Sequence, residues 1–339
     1  MRARFWLGVM AGVALVAGAR AAVLVNGAGA TFPYPIYSKW FDEFNKLNPD
    51  TRINYQSIGS GGGIRQVTDG TVDFGASDGP MTDEQLAAAK TPILHLPTVL
   101  GAVVPTFNLP DVERLRFTSE ALAGIFTGAI TQWNDPAIAK ENPDAKLPAA
   151  AIVPVHRSDG SGTTYVFTDY LAKVSPEWQK KVGRGTSVNW PVGLGGKGNE
   201  GVTGLVKLTP NSIGYVELVY AVQNKLPYAD MRNHAGRFVQ ANLESVTAAA
   251  AAAATDMPAD FRVSITDPAA PDAYPIASFT WLLVPSRIND PAKGTAIKKF
   301  LQWMLVDGQV FAPQLGYAPL PAAVVAREQQ TLGSIQIGG

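Results

Sequence analysis

The chain has no cysteine. Disulfides, thiol catalysis, thiolate metal sites and a lipid-bearing cysteine behind a leader are therefore excluded. Histidine is scarce, with only His95, His156 and His234, and no His and carboxylate residues fall at metal-ligand spacing. Neither a metal site nor a cofactor is expected. Excess charge is missing too: 28 basic residues face 28 acidic ones, with no basic run and no basic–aromatic stripe. Nucleic acid is not an expected partner on that ground. The apolar stretch near the start, Phe5 to Ala17, falls short of the roughly 20 residues that span a bilayer.

That stretch instead has the surroundings of a secretory signal. Arg2 and Arg4 precede it, and Ala19-Arg20-Ala21 follows as an A-x-A site, so cleavage is expected after Ala21. Removing residues 1–21 takes away three arginines and no acid, leaving 25 basic against 28 acidic residues. A soluble monomer of the Gram-negative periplasm is expected, folding on packing alone, which about 318 residues can supply. A mildly acidic protein has no global field to attract anions, so any anion site must work through local dipoles and hydrogen bonds.

What the chain does have is three Gly- and hydroxyl-rich segments far apart. They are Gly27-Ala28-Gly29-Ala30-Thr31-Phe32, Gly59-Ser60-Gly61-Gly62-Gly63 and Arg157-Ser158-Asp159-Gly160-Ser161-Gly162-Thr163-Thr164. Each precedes a stretch of helical periodicity, so each can offer N–H groups and hydroxyls from a helix start, the simplest cradle for a tetrahedral oxyanion. Arg157 can add a two-pronged guanidinium contact, with Asp159 holding it from behind. Counting hydroxyls and N–H groups of Thr31, Ser60, Ser161 and Thr163, the N–H of Phe32 and Gly162, and two from Arg157 gives about a dozen donors. That number suffices for one dehydrated tetrahedral anion.

Asp78 is the odd member. A carboxylate beside an anion repels it unless the anion carries a proton to donate, as HPO4²⁻ and H2PO4⁻ do and sulfate does not. Each position also has a plainer reading: a turn-capping Asp78, a surface Arg157 paired with Asp159, ordinary helix caps at Ser161 and Thr31, a bare turn at Ser60, a core Phe32.

Between these segments strand-like and helix-like stretches alternate, which predicts an α/β fold. The pattern predicts strands over Arg52–Ile58, Thr71–Ala76, His95–Asn108, Ile152–Val155, Ile213–Tyr220 and Ile276–Val284. It predicts helices with Ile36, Trp40, Phe41, Phe44 and Leu47 on one face, over Asp83–Ala89 behind a Thr82 capping box, Ser119–Phe126 and Thr164–Lys173. A further helix follows the Gly193–Gly201 loop, and another begins at Asp290-Pro291 with Ile297, Phe300, Leu301 and Met304 inward. The seven alanines Ala248–Ala254 read as a surface helix continued from Leu243. Two lobes are expected, 22–105 with 278–339 forming a discontinuous first lobe and 106–277 the second, with the ligand cleft between them.

Longer motifs sharpen the reading. Gly-Ala-Gly-Ala-Thr-Phe-Pro at 27–33, Val-Asp-Phe-Gly-Ala-Ser-Asp at 72–78, Trp133-Asn134-Asp135 and Arg157 through Thr163 are four of them. Gly-Ser-Gly-Gly-Gly at 59–63, Trp190 through Gly198 and Ile213-Gly214-Tyr215-Val216-Glu217 complete the set. In all of these the chain resembles the periplasmic phosphate-binding protein of the Pst ABC uptake system. The resemblance implies a two-lobed periplasmic solute-binding fold closing over inorganic phosphate, with delivery to inner-membrane ABC permease subunits. It also implies ligand contacts at Thr31, Phe32, Ser60, Asp78, Arg157, Ser161, Gly162 and Thr163, supported by Asp159. The alanine run, the Ala/Pro-rich stretch to Pro275 and the tail after Arg327 depart from the family pattern.

A phosphate-ester hydrolase is the competing class. Neither Ser60 nor Ser161 fits a G-x-S-x-G elbow, because Ile58 and Asp159 occupy the first-glycine positions. Ile64-Arg65 follows the Gly59–Gly63 loop where a nucleotide P-loop needs Lys and a hydroxyl residue. Binding of another protonated oxyanion, arsenate, and a scavenging or sensing role without a transporter stay open at this point.

Overall fold

The computed structural model describes residues 22–254 and 257–338. The leader expected over residues 1–21 lies outside them. Eight strands carry the architecture: β1 Val23–Gly29, β2 Thr51–Ser57, β3 Phe74–Ser77, β4 Ile93–Asn108, β5 Val153–Arg157, β6 Leu194–Gly196, β7 Ser212–Glu217 and β8 Ala277–Pro285. They hydrogen-bond in the order β2-β1-β3-β8-β4-β7-β5-β6. β1 runs parallel to β2 and β3, and β5 parallel to β6 and β7, while β8 is antiparallel to both β3 and β4.

The sixteen-residue β4 joins two halves. Its residues up to Ala102 pair with β8, and from Val103 onward they pair antiparallel with β7. The two lobes therefore share one strand, whose continuous run of Val, Leu and Thr is buried almost end to end. The helices flanking the strands include α1 Tyr34–Leu47, α2 Ser60–Thr68, α3 Gly162–Val174, α4 Gly198–Leu208, α5 Leu218–Gln223, α6 Leu243–Ala254, α7 Pro291–Val306 and α8 Ala322–Leu332. Among the described residues no helix is long and apolar enough to cross a membrane.

Each half has its own aromatic core. Phe41 and Phe44 of α1 meet Phe300 of α7 at centroid distances of 5.2 and 5.3 Å. In the other half, Phe167 of α3 stacks on Tyr215 of β7 at 4.2 Å. Ring pairs of this kind contribute roughly 0.5–1.5 kcal/mol beyond the area they bury.

The structure adjusts several expectations. Leu47 is exposed, and Tyr37 takes the buried place on the inner face of α1. The strand expected to reach Tyr220 ends at Glu217, whose side chain caps α5 through the Val219 N–H, so Tyr220 is helical. Three glycines expected in a loop after Gly59 form the first turn of α2. The alanine-rich helix forms, but Ala249 and Ala250 are fully buried and α6 packs against β4 and β8. A side chain no larger than a methyl allows that close approach.

Asp169, on α3, is fully buried and holds a segment running toward β8. Its carboxylate accepts hydrogen bonds from the Ser264 and Thr266 hydroxyls (2.5 and 2.6 Å) and from Arg184 Nη1 (2.8 Å). Burial by itself would raise its pKa. The two hydroxyls, the Lys173 charge and Arg184 together outweigh burial and hold it below the usual carboxylate value. Because α3 also starts at the Ser161–Thr163 segment, this anchor fixes the helix that presents it. Asp169→Ala is expected to lower the unfolding free energy by roughly 2–4 kcal/mol, from bonds to a charged acceptor. Urea denaturation measures this, and a loss below about 0.5 kcal/mol would show the anchor to be dispensable.

Candidate functional site

The expected site residues come from the ends of β1, β3 and β5 and from the starts of α2 and α3. All lie in one buried polar cluster between the halves. Thr31, Phe32, Ser60, Asp78, Arg157, Ser161, Gly162 and Thr163 are each buried. Asp78 N–H donates to Ser60 Oγ at 3.2 Å. Gly162, from the other half, packs so closely that a Cβ there would overlap Ser60 Oγ and Asp78 Oδ2. The halves also meet backbone to backbone, Gly61 N–H donating to Gly160 O at 2.9 Å. A Cβ on either of those glycines would crowd the other's Cα at 3.1 Å, so the cleft closes on hydrogen-only side chains.

Arg157 sits at the end of β5 with its side chain buried. Its Nε–Nη2 edge forks onto Asp159 at 2.8 and 2.6 Å, and Nη1 donates to Thr163 Oγ1 at 3.3 Å. Asp159 is braced in turn by the Gly198 N–H at 3.0 Å. Burial would raise the Asp159 pKa, but the Arg157 hydrogen bonds and charge with the Gly198 N–H keep it depressed. Asp159 thus holds the guanidinium by its Nε–Nη2 edge, which leaves the Nη1–Nη2 edge for a two-pronged contact.

The hydroxyls share a pattern. Ser161 Oγ accepts from Thr164 N–H at 3.0 Å and Ser60 Oγ from Asp78 N–H. Thr31 Oγ1 accepts from Asn199, and Thr163 Oγ1 from Asn199 and Arg157. Protein donors fill both lone pairs of Thr31 and Thr163 Oγ1, which leaves those two hydroxyls as donors toward the cluster, whereas Ser60 and Ser161 Oγ each accept one bond and Ser60 Oγ donates to Asp78 Oδ2 at 3.5 Å. One donor drops out of the count: the Ser161 N–H is committed to Thr186 O at 2.7 Å. The Gly162 and Thr163 N–H groups belong to the first turn of α3, which an α-helix leaves unpaired. α4 adds a helix start that the sequence reading did not count.

Asp78 closes the cluster on the other side. Thr280 Oγ1 donates to Asp78 Oδ1 at 2.8 Å, from a point in β8 where the register shifts between Thr280 and Trp281. Such an irregularity re-aims a strand side chain. Burial pushes the Asp78 pKa up to about 7, although Thr280, the Arg157 charge and Ser60 all pull it down. The carboxyl is poised to hold or release a proton near neutral pH.

A family model described as a PBP superfamily domain matches residues 16–307. The phosphate-binding protein PstS of Pasteurella multocida is 47% identical over 307 residues, covering 90% of this chain and 88% of the relative. PstS of Haemophilus influenzae is 44% identical, covering 89% and 90%. This chain belongs to the PstS phosphate-binding protein family. The fold also matches a solved high affinity periplasmic phosphate-binding protein bound with phosphate, at TM-score 0.72 and 21% identity, covering 90% of this chain and 93% of that one. A second match is a phosphate ABC transporter substrate-binding protein from Clostridium perfringens, at TM-score 0.64 and 20% identity, covering 88% and 100%. The two-lobed expectation agrees with that fold.

Sequence reading missed residues that complete this PstS-family cleft. Tyr220 Oη donates to Thr31 O at 2.6 Å and Tyr317 Oη to Phe32 O at 2.7 Å, fixing the backbone just after β1. Thr280 and Asn199 touch the assigned side chains directly. Asn199 follows the Trp190–Gly198 motif and carried a usable signal, a polar residue at a helix start. Thr280 carried none, since a Thr in an apolar strand reads as core.

The raised Asp78 pKa fixes the sign of a pH effect. Between about 3.8 and about 7 the folded state keeps a proton that the unfolded state has released, so stability falls as pH rises through that window. In anion-free buffer, Asp78→Asn should therefore gain on the unaltered chain by on the order of 1 kcal/mol per pH unit there. Denaturation of both proteins across the window measures it. Parallel curves would place the Asp78 pKa at its ordinary value.

Proposed function

We propose that this chain is a binding protein, not an enzyme, that captures inorganic phosphate in the periplasm and delivers it to the inner-membrane permease subunits of an ABC importer. The observation that carries the reading is the polarity of the cluster. Two threonine hydroxyls held as donors, two serine hydroxyls, unpaired helix N–H groups and a guanidinium edge surround a carboxyl with a pKa of about 7. Many donors with one acceptor match an oxyanion that carries a proton. Relatives at 44–47% identity bearing the name phosphate-binding protein support the same ligand.

In this reading Thr31, Phe32, Ser60, Asp78, Arg157, Ser161, Gly162 and Thr163 contact phosphate, and Asp159 holds Arg157. Lobe 22–105 with 278–339 and lobe 106–277 swing together about β4 and the entry to β8, as hinge-closing binders do. The protein acts as a monomer released from its leader after Ala21. Neither His156 nor His95 is placed as a base for hydrolysis: His156 stacks on Trp190 at 4.8 Å, and His95 Nε2 accepts the Met81 N–H.

Arg157→Ala should cost roughly 2–5 kcal/mol of phosphate affinity, thirtyfold or more, because it also leaves Asp159 facing the anion. Calorimetric titration measures it, and binding within about threefold of the unaltered protein would refute the assignment.

Asp78→Asn should alter selectivity more than phosphate affinity. The amide can accept the ligand proton or donate to a bare oxygen, whereas sulfate loses an acceptor–acceptor clash worth on the order of 1–3 kcal/mol. The quantity to measure is the phosphate-to-sulfate affinity ratio at fixed pH and ionic strength. An unchanged ratio would leave Asp78 as a turn cap.

A further inference from the structure

We infer that Asn199 is a positioning residue that fixes the proton direction of two ligand hydroxyls, Thr31 on one lobe and Thr163 on the other. The inference rests on the phosphate reading of the cleft and adds a residue that no motif assigned to it.

Asn199 is the second residue of α4 and is fully buried. Its Oδ1 accepts the Glu217 N–H at 3.0 Å, which fixes the amide so that Nδ2 faces the cleft. Nδ2 donates to Thr31 Oγ1 at 2.8 Å and to Thr163 Oγ1 at 3.1 Å. The Asn199 backbone N–H gives Thr31 Oγ1 a second bond at 3.2 Å, and Arg157 Nη1 gives Thr163 Oγ1 its second at 3.3 Å.

A hydroxyl oxygen has two lone pairs and one proton. With both lone pairs filled, each threonine can only donate. A serine or threonine without such neighbours can turn either way and accepts as readily as it donates. One amide thus makes two ambivalent groups into fixed donors, Thr163 within its own lobe and Thr31 once the lobes meet, which is alignment without added charge. Because Thr31 belongs to the other lobe from Asn199 and Thr163, the full arrangement exists only when the cleft is shut. The same side chain therefore couples closure to donor alignment.

The test is a double-mutant cycle read by calorimetric titration with inorganic phosphate, using the unaltered protein, Asn199→Ala, Thr163→Val and the double variant. Asn199→Ala is expected to weaken binding about tenfold, the cost of one lost charge-neutral alignment near 1.4 kcal/mol. In the Thr163→Val background the same change should cost about threefold or less, because one of the hydroxyls it aligns is gone. Fully additive losses would overturn the inference and make Asn199 a packing residue. Asn199→Asp, nearly isosteric, guards against a folding artefact. Its carboxylate accepts from both hydroxyls and turns their lone pairs to the anion, so it should bind phosphate at least tenfold more weakly than Asn199→Ala at pH 8. Equal affinities of those two variants would also overturn the inference. If the unaltered protein fails to bind phosphate at all, the proposed function falls with it, whereas a binding protein with an additive cycle sinks this inference alone.

Discussion

A multivalent anion held away from water must find its whole hydration shell in the protein, and nearly every feature of this cleft answers that demand. A net positive cluster would meet the charge but not the geometry, and it would bind any anion. Here the one buried arginine is already matched by Asp159, so the pair brings almost no net charge. What remains is a set of oriented dipoles: helix starts, hydroxyls and a guanidinium edge. Helix starts contribute roughly half a positive charge each without a mobile counter-ion.

Orientation is the costly part, and the surrounding residues supply it. Asp159 and the Gly198 N–H fix the guanidinium plane. Thr164, Asp78 and Asn199 fill lone pairs of the hydroxyls. Tyr220 and Tyr317 fix the chain at Thr31 and Phe32. The network continues behind Asp78: Thr98 Oγ1 donates to Thr280 O at 3.1 Å, and Tyr37 Oη lies 3.0 Å from Thr98 Oγ1. Glu217, fully buried with burial raising its pKa, lends its N–H to Asn199 and its carboxyl to the start of α5.

Closing two lobes on such a cluster also requires that nothing prop them apart. Gly61 faces Gly160, and Gly162 faces Ser60 and Asp78. The glycines of the three motifs thus have two tasks. Those at the starts of α2 and α3 open helices, and Gly61, Gly160 and Gly162 let the lobes meet. β4 carries the other half of the closure, because a single strand paired to β8 at one end and β7 at the other lets the lobes share a sheet.

The sequence by itself determined the α/β class, most element positions and the segments that would meet. Glycine beside hydroxyl residues before helical periodicity is a local signal, and local signals survive in one dimension. Arg157, Asp159 and Ser161 were readable together because they lie within five residues. Element ends were less readable: Tyr220 looks like strand because Val and Tyr favour strand, and only the Glu217 cap turns it into helix. Tertiary structure alone decided which guanidinium edge is free, that the Ser161 N–H is spent on Thr186, and that Thr280 and Asn199 serve the cleft. It also decided the protonation of Asp78, since the pKa of a carboxyl follows from burial and neighbours up to 202 residues away in the chain. Residue types set which hydrogen bonds are possible. Only closure of the two lobes sets which of them are made.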